Sequence, residues 1–150
     1  MLERVVENWL DNASEKSYQK PFCYILAADG YSVVHISRHC GMELGKDIIA
    51  KAPDGVYCAF QLKSAEKGNI SLKEWRKINA QLFDLVTTSI SHPSVNTTKH
   101  HRSYLVTNGN LTEEVQEAIN KLNENWKKQK QAHLKLNTIV REKSSKKQKN

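Results

Sequence analysis

Apolar residues recur every three to four positions in four stretches of the chain, which is the spacing of an amphipathic helix. These stretches lie near residues 2–13, 18–28, 71–90 and 112–126. Two of them begin with residues that favour a helix start. Ser71 and Glu74 form a capping-box pattern, and Thr112 precedes two acidic residues. The sequence therefore predicts four helices.

Runs rich in β-branched residues lie between these helices and predict strands. The predicted strands cover residues 31–36, 46–51, 56–64, 104–107 and 134–140. Two helices, three strands, a helix, a strand and a helix thus follow one another, ahead of the last strand. This order predicts an α/β protein in which helices flank a mixed sheet.

The length of 150 residues is enough for one domain with its own core. The net charge of +7 is concentrated at the C-terminus: residues 1–126 contain 14 basic and 15 acidic side chains, whereas residues 127–150 contain nine and one. The high isoelectric point is therefore poor evidence that the whole domain binds nucleic acid. We predict a domain over residues 1–130. Residues 131–150 then form a basic tail, either a solvated linker to a further domain or a phosphate-binding arm.

Features of membrane and secreted proteins are missing from the sequence pattern. No apolar run approaches the ~20 residues of a membrane span, and the first residues do not resemble a secretory signal. Three scattered cysteines, Cys23, Cys40 and Cys58, argue against a disulfide framework or a zinc site. The sequence thus predicts a cytoplasmic protein in which Cys23 and Cys58 are small core residues.

Residues 43–63 predict a β-hairpin that carries several polar side chains. Gln61 and Lys63 are two residues apart on one strand and therefore share a face. Asp47 lies on the preceding strand, so its position depends on the turn at residues 52–55. An odd-numbered loop sets Asp47 opposite either Gln61 or Lys63, whereas a two-residue loop turns it to the other face. The hairpin register is thus a test of whether these side chains form a site.

These residue types suit a divalent-metal site that hydrolyses a phosphodiester bond. A hard cation neutralises charge at the phosphate and lowers the pKa of an attacking water. Asp47 is the charged ligand, Gln61 offers a neutral oxygen, and Glu43 supplies a further carboxylate, directly or through water. Lys63 orients or deprotonates the water, or holds the developing negative charge. We predict these four residues as catalytic, the first three as ligands, and Mg²⁺ or Mn²⁺ as the cofactor.

The ordered set Glu43-x-Gly45-x-Asp47 followed by Gln61-x-Lys63 resembles the Q-x-K variant of the PD-(D/E)XK nuclease superfamily, and most of all the Mrr-type restriction endonucleases. The resemblance implies a restriction-endonuclease-like fold and metal-dependent DNA cleavage. It also implies the roles given above to the aspartate, the glutamine and the lysine.

The resemblance extends over about residues 18–126. It includes the helix that ends at Gly30, the strand at Val33 and Val34, and the strand Leu105–Asn108 ahead of a helix. Many Mrr-type members carry a glutamate in the early helix, where this chain has Gln19. Glu15 is the alternative acid for that role.

Two further sets of residues follow from the predicted hairpin. Basic residues in the loop after the hairpin, on the exposed side of the next helix and in the later polar loop are candidates for contacts with the DNA backbone, namely Lys67, Arg76, Lys77 and Arg102. Pro53 and Asp54 match the letters PD in the name of the superfamily. Asp54, however, falls within the predicted turn, so we expect it to shape that turn rather than to bind metal.

The hairpin residues and the resemblance together lead us to expect a Mg²⁺-dependent endodeoxyribonuclease, and the resemblance implies the nuclease domain of a bacterial restriction or anti-phage defence protein. Double-stranded DNA is the expected substrate, and RNA stays open. Cutting both strands calls for a homo-oligomer, and a bare nuclease domain calls for a regulatory or targeting partner. The alternative is a catalytically weak DNA-binding or interaction module on the same fold. The simplest interpretation of Asp47 and Lys63 alone is a cross-strand salt bridge on a solvated face.

Overall fold

The computed structural model describes residues 19–36, 47–65, 68–90 and 100–140. Its helices are α1 (Gln19–Ala28), α2 (Leu72–Thr87) and α3 (Glu113–Lys128). Its strands are β1 (Ser32–Ile36), β2 (Ile48–Lys51), β3 (Tyr57–Lys63), β4 (Asn69–Ile70), β5 (Arg102–Thr107), β6 (Asn110–Leu111) and β7 (Leu136–Ile139). The predicted helix over residues 2–13 lies outside the described residues.

Five of these strands form one mixed sheet in the order β1-β2-β3-β5-β7. β2 pairs antiparallel with both β1 and β3, whereas β5 pairs parallel with both β3 and β7. Parallel neighbours require the chain to cross back between them, and α2 and α3 are those crossovers. The predicted mixed α/β class is confirmed. The last predicted strand is also present, so the sheet continues past residue 130, where we had predicted the domain to end.

An apolar core lies on each face of the sheet. On the α1 side, Phe22 and Leu26 of the helix pack with Phe60 and Leu62 of β3. On the side of α2 and α3, Ala59 of β3 belongs to a second cluster of buried residues, which includes Trp75, Leu82, Leu85, Leu105, Val115, Ile119 and Trp126. Because side chains alternate along a strand, odd-numbered residues of β3 face α2 and α3. Gln61 and Lys63 therefore share that face with Ala59.

The predicted core cysteines are both buried, and each has a free thiol. Cys23 lies in α1 and Cys58 in β3, and both belong to the core on the α1 side. Burial raises the pKa of each thiol to about 11. Both thiols are therefore protonated at neutral pH, which suits packing rather than metal binding or nucleophilic chemistry.

The two predicted helix starts are confirmed. The Ser71 hydroxyl accepts a hydrogen bond from the Glu74 backbone N–H at 3.3 Å, and Thr112 accepts one from the Val115 N–H at 3.4 Å. Helix α2 is shorter than predicted because Thr88 has an extended backbone and ends it. None of the helices in the described part of the chain combines the length and apolar character needed to cross a membrane.

A second, two-stranded sheet was not expected from the sequence. β4 follows β3, β6 follows β5, and the two pair in parallel. Each strand has only two residues, which is too short for any alternation of apolar and polar side chains to be recognised. The pairing joins the two connections that lead into α2 and α3, at the end of the sheet where β3 and β5 finish.

Candidate functional site

The hairpin turn between β2 and β3 has an odd number of residues, as the site requires. Pro53, Asp54 and Gly55 form the loop, with the Gly55 N–H donating to the Ala52 carbonyl at 2.9 Å and the Ala52 N–H donating to the Val56 carbonyl at 2.8 Å. Proline is suited to the second position of such a turn. Gly55 has a φ of 88°, a left-handed conformation that glycine adopts without strain. The turn chemistry therefore sets the loop length.

This loop gives the register that faces Asp47 towards Gln61. Ile48 pairs with Phe60 and Ile49 with Ala59, so one step further along the strands Asp47 stands opposite Gln61. The Asp47 N–H also donates to the Phe60 carbonyl at 3.0 Å, which continues the ladder to the aspartate. The predicted register is confirmed in the form that sets these two residues opposite each other.

Asp47 and Gln61 are in direct contact through their side chains. Gln61 Nε2 donates a hydrogen bond to Asp47 Oδ2 at 3.0 Å. The same carboxylate oxygen accepts the backbone N–H of Leu62 at 2.9 Å. Two donors on one oxygen hold the carboxylate of the half-buried Asp47 in a fixed position against β3.

The other end of the Gln61 amide has a different environment. Gln61 is 4% exposed, and its Oε1 atom is buried without a hydrogen-bond partner among the described residues. A buried amide oxygen without a partner is costly, and native structures rarely keep one unless a water or an ion satisfies it. The atom is therefore a candidate ligand for a cation held beside the Asp47 carboxylate.

Lys63 lies two residues beyond Gln61 on the same face, at the last pair of the β3–β5 ladder, where it stands beside Thr107. Its side chain is half-buried, whereas Thr107 is fully buried. Within the described ranges, no three side chains of His, Cys, Asp or Glu lie together. The described part of the site thus consists of one carboxylate, one amide and one ammonium group, and Glu43 lies outside the described residues.

Asp54 has the role in the turn that we predicted for it. Its carboxylate accepts the Val56 N–H at 3.1 Å and forms an ion pair with Arg102. Arg102 stands beside Cys58 at the start of the β3–β5 ladder. It is separated from Lys63 by five residues of strand, or roughly 16 Å. Arg102 thus lies at the opposite end of the sheet from the candidate site, where it holds the hairpin tip.

The pKa of Asp54 predicts how the hairpin tip responds to acid. The hydrogen bond from Arg102, and then that from Val56, hold this pKa below its ordinary value of 3.8. A lowered folded-state pKa stabilises the fold above 3.8, and the contribution disappears as pH falls through the lowered value. We therefore expect Asp54→Asn to lower the melting temperature slightly at neutral pH, and the difference from wild type to vanish in strong acid. Thermal melts of both proteins from neutral pH to strong acid measure this difference in melting temperature. A difference that stays the same at every pH would contradict the prediction.

The other residues predicted to contact DNA are divided by the structure. Arg76 and Lys77 are exposed within the first two turns of α2, which begins at the end of the sheet where Lys63 lies. Lys67 lies outside the described residues. Contact with DNA stays a prediction for all of these basic residues.

The sequence pattern did not point to Asn108. Its Oδ1 accepts the backbone N–H of Ala65 at 2.8 Å, two residues after Lys63. In the sequence, Asn108 and Gly109 resemble an ordinary turn after a strand. The available signal was their position directly after Thr107, at the end of a predicted strand.

Comparison with known proteins gives no match: no family model, no curated protein and no solved structure matches this chain.

Proposed function

We propose that the protein is a Mg²⁺- or Mn²⁺-dependent endodeoxyribonuclease of the Mrr type, built on a restriction-endonuclease-like fold. The observation that carries this proposal is the pairing of Asp47 with Gln61 on the face of β3 that also bears Lys63. The buried Gln61 Oε1 without a partner among the described residues adds to it. A carboxylate and an amide oxygen are hard donors of the kind that Mg²⁺ takes in proteins.

The order of the elements supports the proposed fold. The helix ending before Gly30, the strand at Val33 and Val34, the hairpin, and the strand Leu105–Asn108 ahead of a helix are the elements on which the resemblance rests. In the structure α1, β1, β2, β3, β5 and α3 occupy these places in the same order.

The chemistry divides among three side chains. Asp47 and Gln61 hold the cation through the carboxylate and Oε1. A bound divalent cation supplies charge neutralisation at the phosphate and a lowered pKa for an attacking water. Lys63 orients that water or holds the negative charge that develops on the phosphate oxygens. Residues 60 and 62 hold β3 in place from the opposite face of the sheet, because their side chains are buried in the core on the α1 side.

One observation favours the alternative of a catalytically weak DNA-binding or interaction module. Asp47 Oδ2 already accepts two hydrogen bonds within the protein, from Gln61 and Leu62. In the alternative, this contact serves only to join β2 to β3, and the fold presents a binding surface without cutting. The two functions differ in whether DNA is cleaved, which a single assay decides.

Several properties belong to the proposal as a whole. Double-stranded DNA is the substrate, and cleavage of both strands requires a homo-oligomer, because one such site cuts one strand. A regulatory or targeting partner supplies the choice of sequence. The setting is the cytoplasm of a bacterium, in restriction or anti-phage defence.

Nicking of supercoiled plasmid tests the proposal. We expect the wild-type protein to nick plasmid with Mg²⁺ or Mn²⁺ and not with a chelator present. Lys63→Ala should cut roughly 10²-fold more slowly, as expected when a group that stabilises transition-state charge is lost. Lys51→Ala, an exposed lysine near the hairpin tip, is the control and should cut normally. DNA binding without cutting would favour the alternative. Cleavage of RNA and not of DNA would show that the substrate is RNA.

A further inference from the structure

The chain segments that lead from β3 to α2 and from β5 to α3 are hydrogen-bonded to each other at several of their described residues. The Asn110 N–H donates to the Gly68 carbonyl at 2.9 Å, and the Thr112 N–H donates to the Ile70 carbonyl at 3.2 Å. These bonds belong to the parallel pairing of β4 with β6. The backbone just beyond Lys63 is thus fixed to the backbone just beyond Thr107.

Asn108 begins this series of contacts. The regular ladder between β3 and β5 ends with Lys63 beside Thr107. One residue later, Asn108 Oδ1 accepts the Ala65 N–H at 2.8 Å. The side-chain carbonyl takes the place that a backbone carbonyl would have if the ladder continued. Ala65 is buried, so its N–H would lose a needed partner without Asn108.

Gly109 allows the two segments to approach this closely. A Cβ atom at this position would lie 2.5 Å from the Gly68 carbonyl oxygen and 2.6 Å from the Ala65 Cβ. These distances are too short for any side chain, so only glycine fits without moving the backbone. The Gly109 N–H also donates to the Thr107 hydroxyl at 3.3 Å.

We propose that Asn108 is a positioning residue for Lys63: by binding the Ala65 N–H, it holds the end of β3, and with it the backbone of Lys63, in place on the strand face that also bears Gln61. This inference rests on the proposed nuclease function. A free strand end would let the backbone of Lys63 shift, and displacements near 1 Å at a reacting group cost roughly 10²-fold in rate. The role proposed for Asn108 is exerted through the backbone of Ala65.

Three variants separate positioning from general stability. Asn108→Ala removes the acceptor for Ala65, whereas Asn108→Asp keeps an oxygen at the same place. Asn123→Ala is the matched control, because Asn123 also binds backbone through its amide, accepting the Leu136 N–H at 2.9 Å and donating to the Leu136 carbonyl at 3.1 Å. That contact joins α3 to β7, which is separated from β3 by β5.

Two measurements are made on all three variants at a temperature where each is folded. Amide hydrogen exchange should show that Ala65 loses protection in Asn108→Ala and keeps it in the other two. In plasmid nicking, Asn108→Ala should lower kcat roughly 10- to 100-fold while the DNA concentration for half-maximal rate stays the same. Asn108→Asp should recover most of the rate, and Asn123→Ala should cut like wild type despite its lower melting temperature.

The failures can be told apart. A wild-type protein that cuts no DNA overturns the proposed function, whatever the exchange data show. If the wild type cuts DNA and Asn108→Ala cuts at the same rate, the inference about Asn108 alone is wrong. It is equally wrong if Asn108→Ala and Asn123→Ala lose rate in proportion to their loss of stability. Unchanged exchange at Ala65 would show that the Asn108 contact does not hold this backbone.

Discussion

Asp47→Ala is expected to abolish metal-dependent nicking, lowering the rate by about 10³-fold, the scale for losing a group that holds charge around a transition state. Asp47 is the one described carboxylate that contacts Gln61. Without it, the amide oxygen of Gln61 cannot retain a hard cation by itself. The rate of conversion of supercoiled to open-circular plasmid, in Mg²⁺ and in Mn²⁺, measures the effect.

Loss of structure must be separated from loss of the ligand. Asp47→Ala also leaves the Leu62 N–H without its acceptor, at a cost of roughly 1–3 kcal/mol in unfolding free energy. Asp47→Asn keeps an oxygen that can accept this bond but carries no charge. We therefore expect it to melt closer to wild type than the alanine variant and still to be inactive. An active Asp47→Asn would show that the carboxylate charge is dispensable.

Asp54→Ala is the matched control for Asp47→Ala. Both aspartates belong to the same hairpin, but Asp54 lies at its exposed tip and binds Arg102 and the Val56 N–H. Its loss should lower stability slightly and leave nicking unchanged. If Asp54→Ala were inactive and Asp47→Ala active, the catalytic aspartate would be Asp54 at the tip of the hairpin, which together with Pro53 matches the letters PD of the superfamily name.

The contact between Asp47 and Gln61 could be predicted from the sequence because strand alternation and turn chemistry act over short distances. Pro53 and Gly55 favour a three-residue loop, and that loop length decides which face Asp47 occupies. The local pattern does not determine whether the loop sets Asp47 opposite Gln61 or opposite Lys63. The Ala52–Val56 closure settles this in favour of contact with Gln61.

Other parts of the site depend on contacts between segments far apart in the chain, and these have no local signature. Asn108 meets Ala65 across 43 positions of sequence. The β4–β6 pairing joins two dipeptides that are too short to show a period. The ion pair of Arg102 with Asp54, which lies at the end of the sheet away from Asp47, joins residues 48 positions apart and was likewise not predicted.

Gln61→Glu is expected to destabilise the metal-free protein at neutral pH and to make its stability depend strongly on metal. The substitution replaces the Nε2 donor with a second carboxylate oxygen about 3 Å from that of Asp47, at a position that is 4% exposed. Two like charges at this distance repel by about 5 kcal/mol at an effective dielectric constant near 20. Thermal melts in the presence of a chelator measure the loss.

The pH dependence of this variant has a definite sign. Repulsion from Asp47 raises the folded-state pKa of the new carboxyl above its unfolded value of about 4.3. The destabilisation is therefore fully present above the raised pKa and is relieved as pH falls through it, because one proton between the two carboxylates removes the repulsion. Gln61→Met, which loses the hydrogen bond without adding charge, is the control. The stability of Gln61→Met should differ from that of wild type by the same amount over that pH range.

Added metal decides between the two proposed functions. If Asp47 and residue 61 hold a divalent cation, Mg²⁺ or Mn²⁺ should raise the melting temperature of Gln61→Glu more than that of wild type, because a second carboxylate tightens binding and ligand binding stabilises the folded state. Gln61→Met should gain least. If the pair only joins β2 to β3, the glutamate variant should stay destabilised at every metal concentration. That result would favour a binding module over a nuclease, since the carboxylate of Asp47 would then serve the hairpin alone.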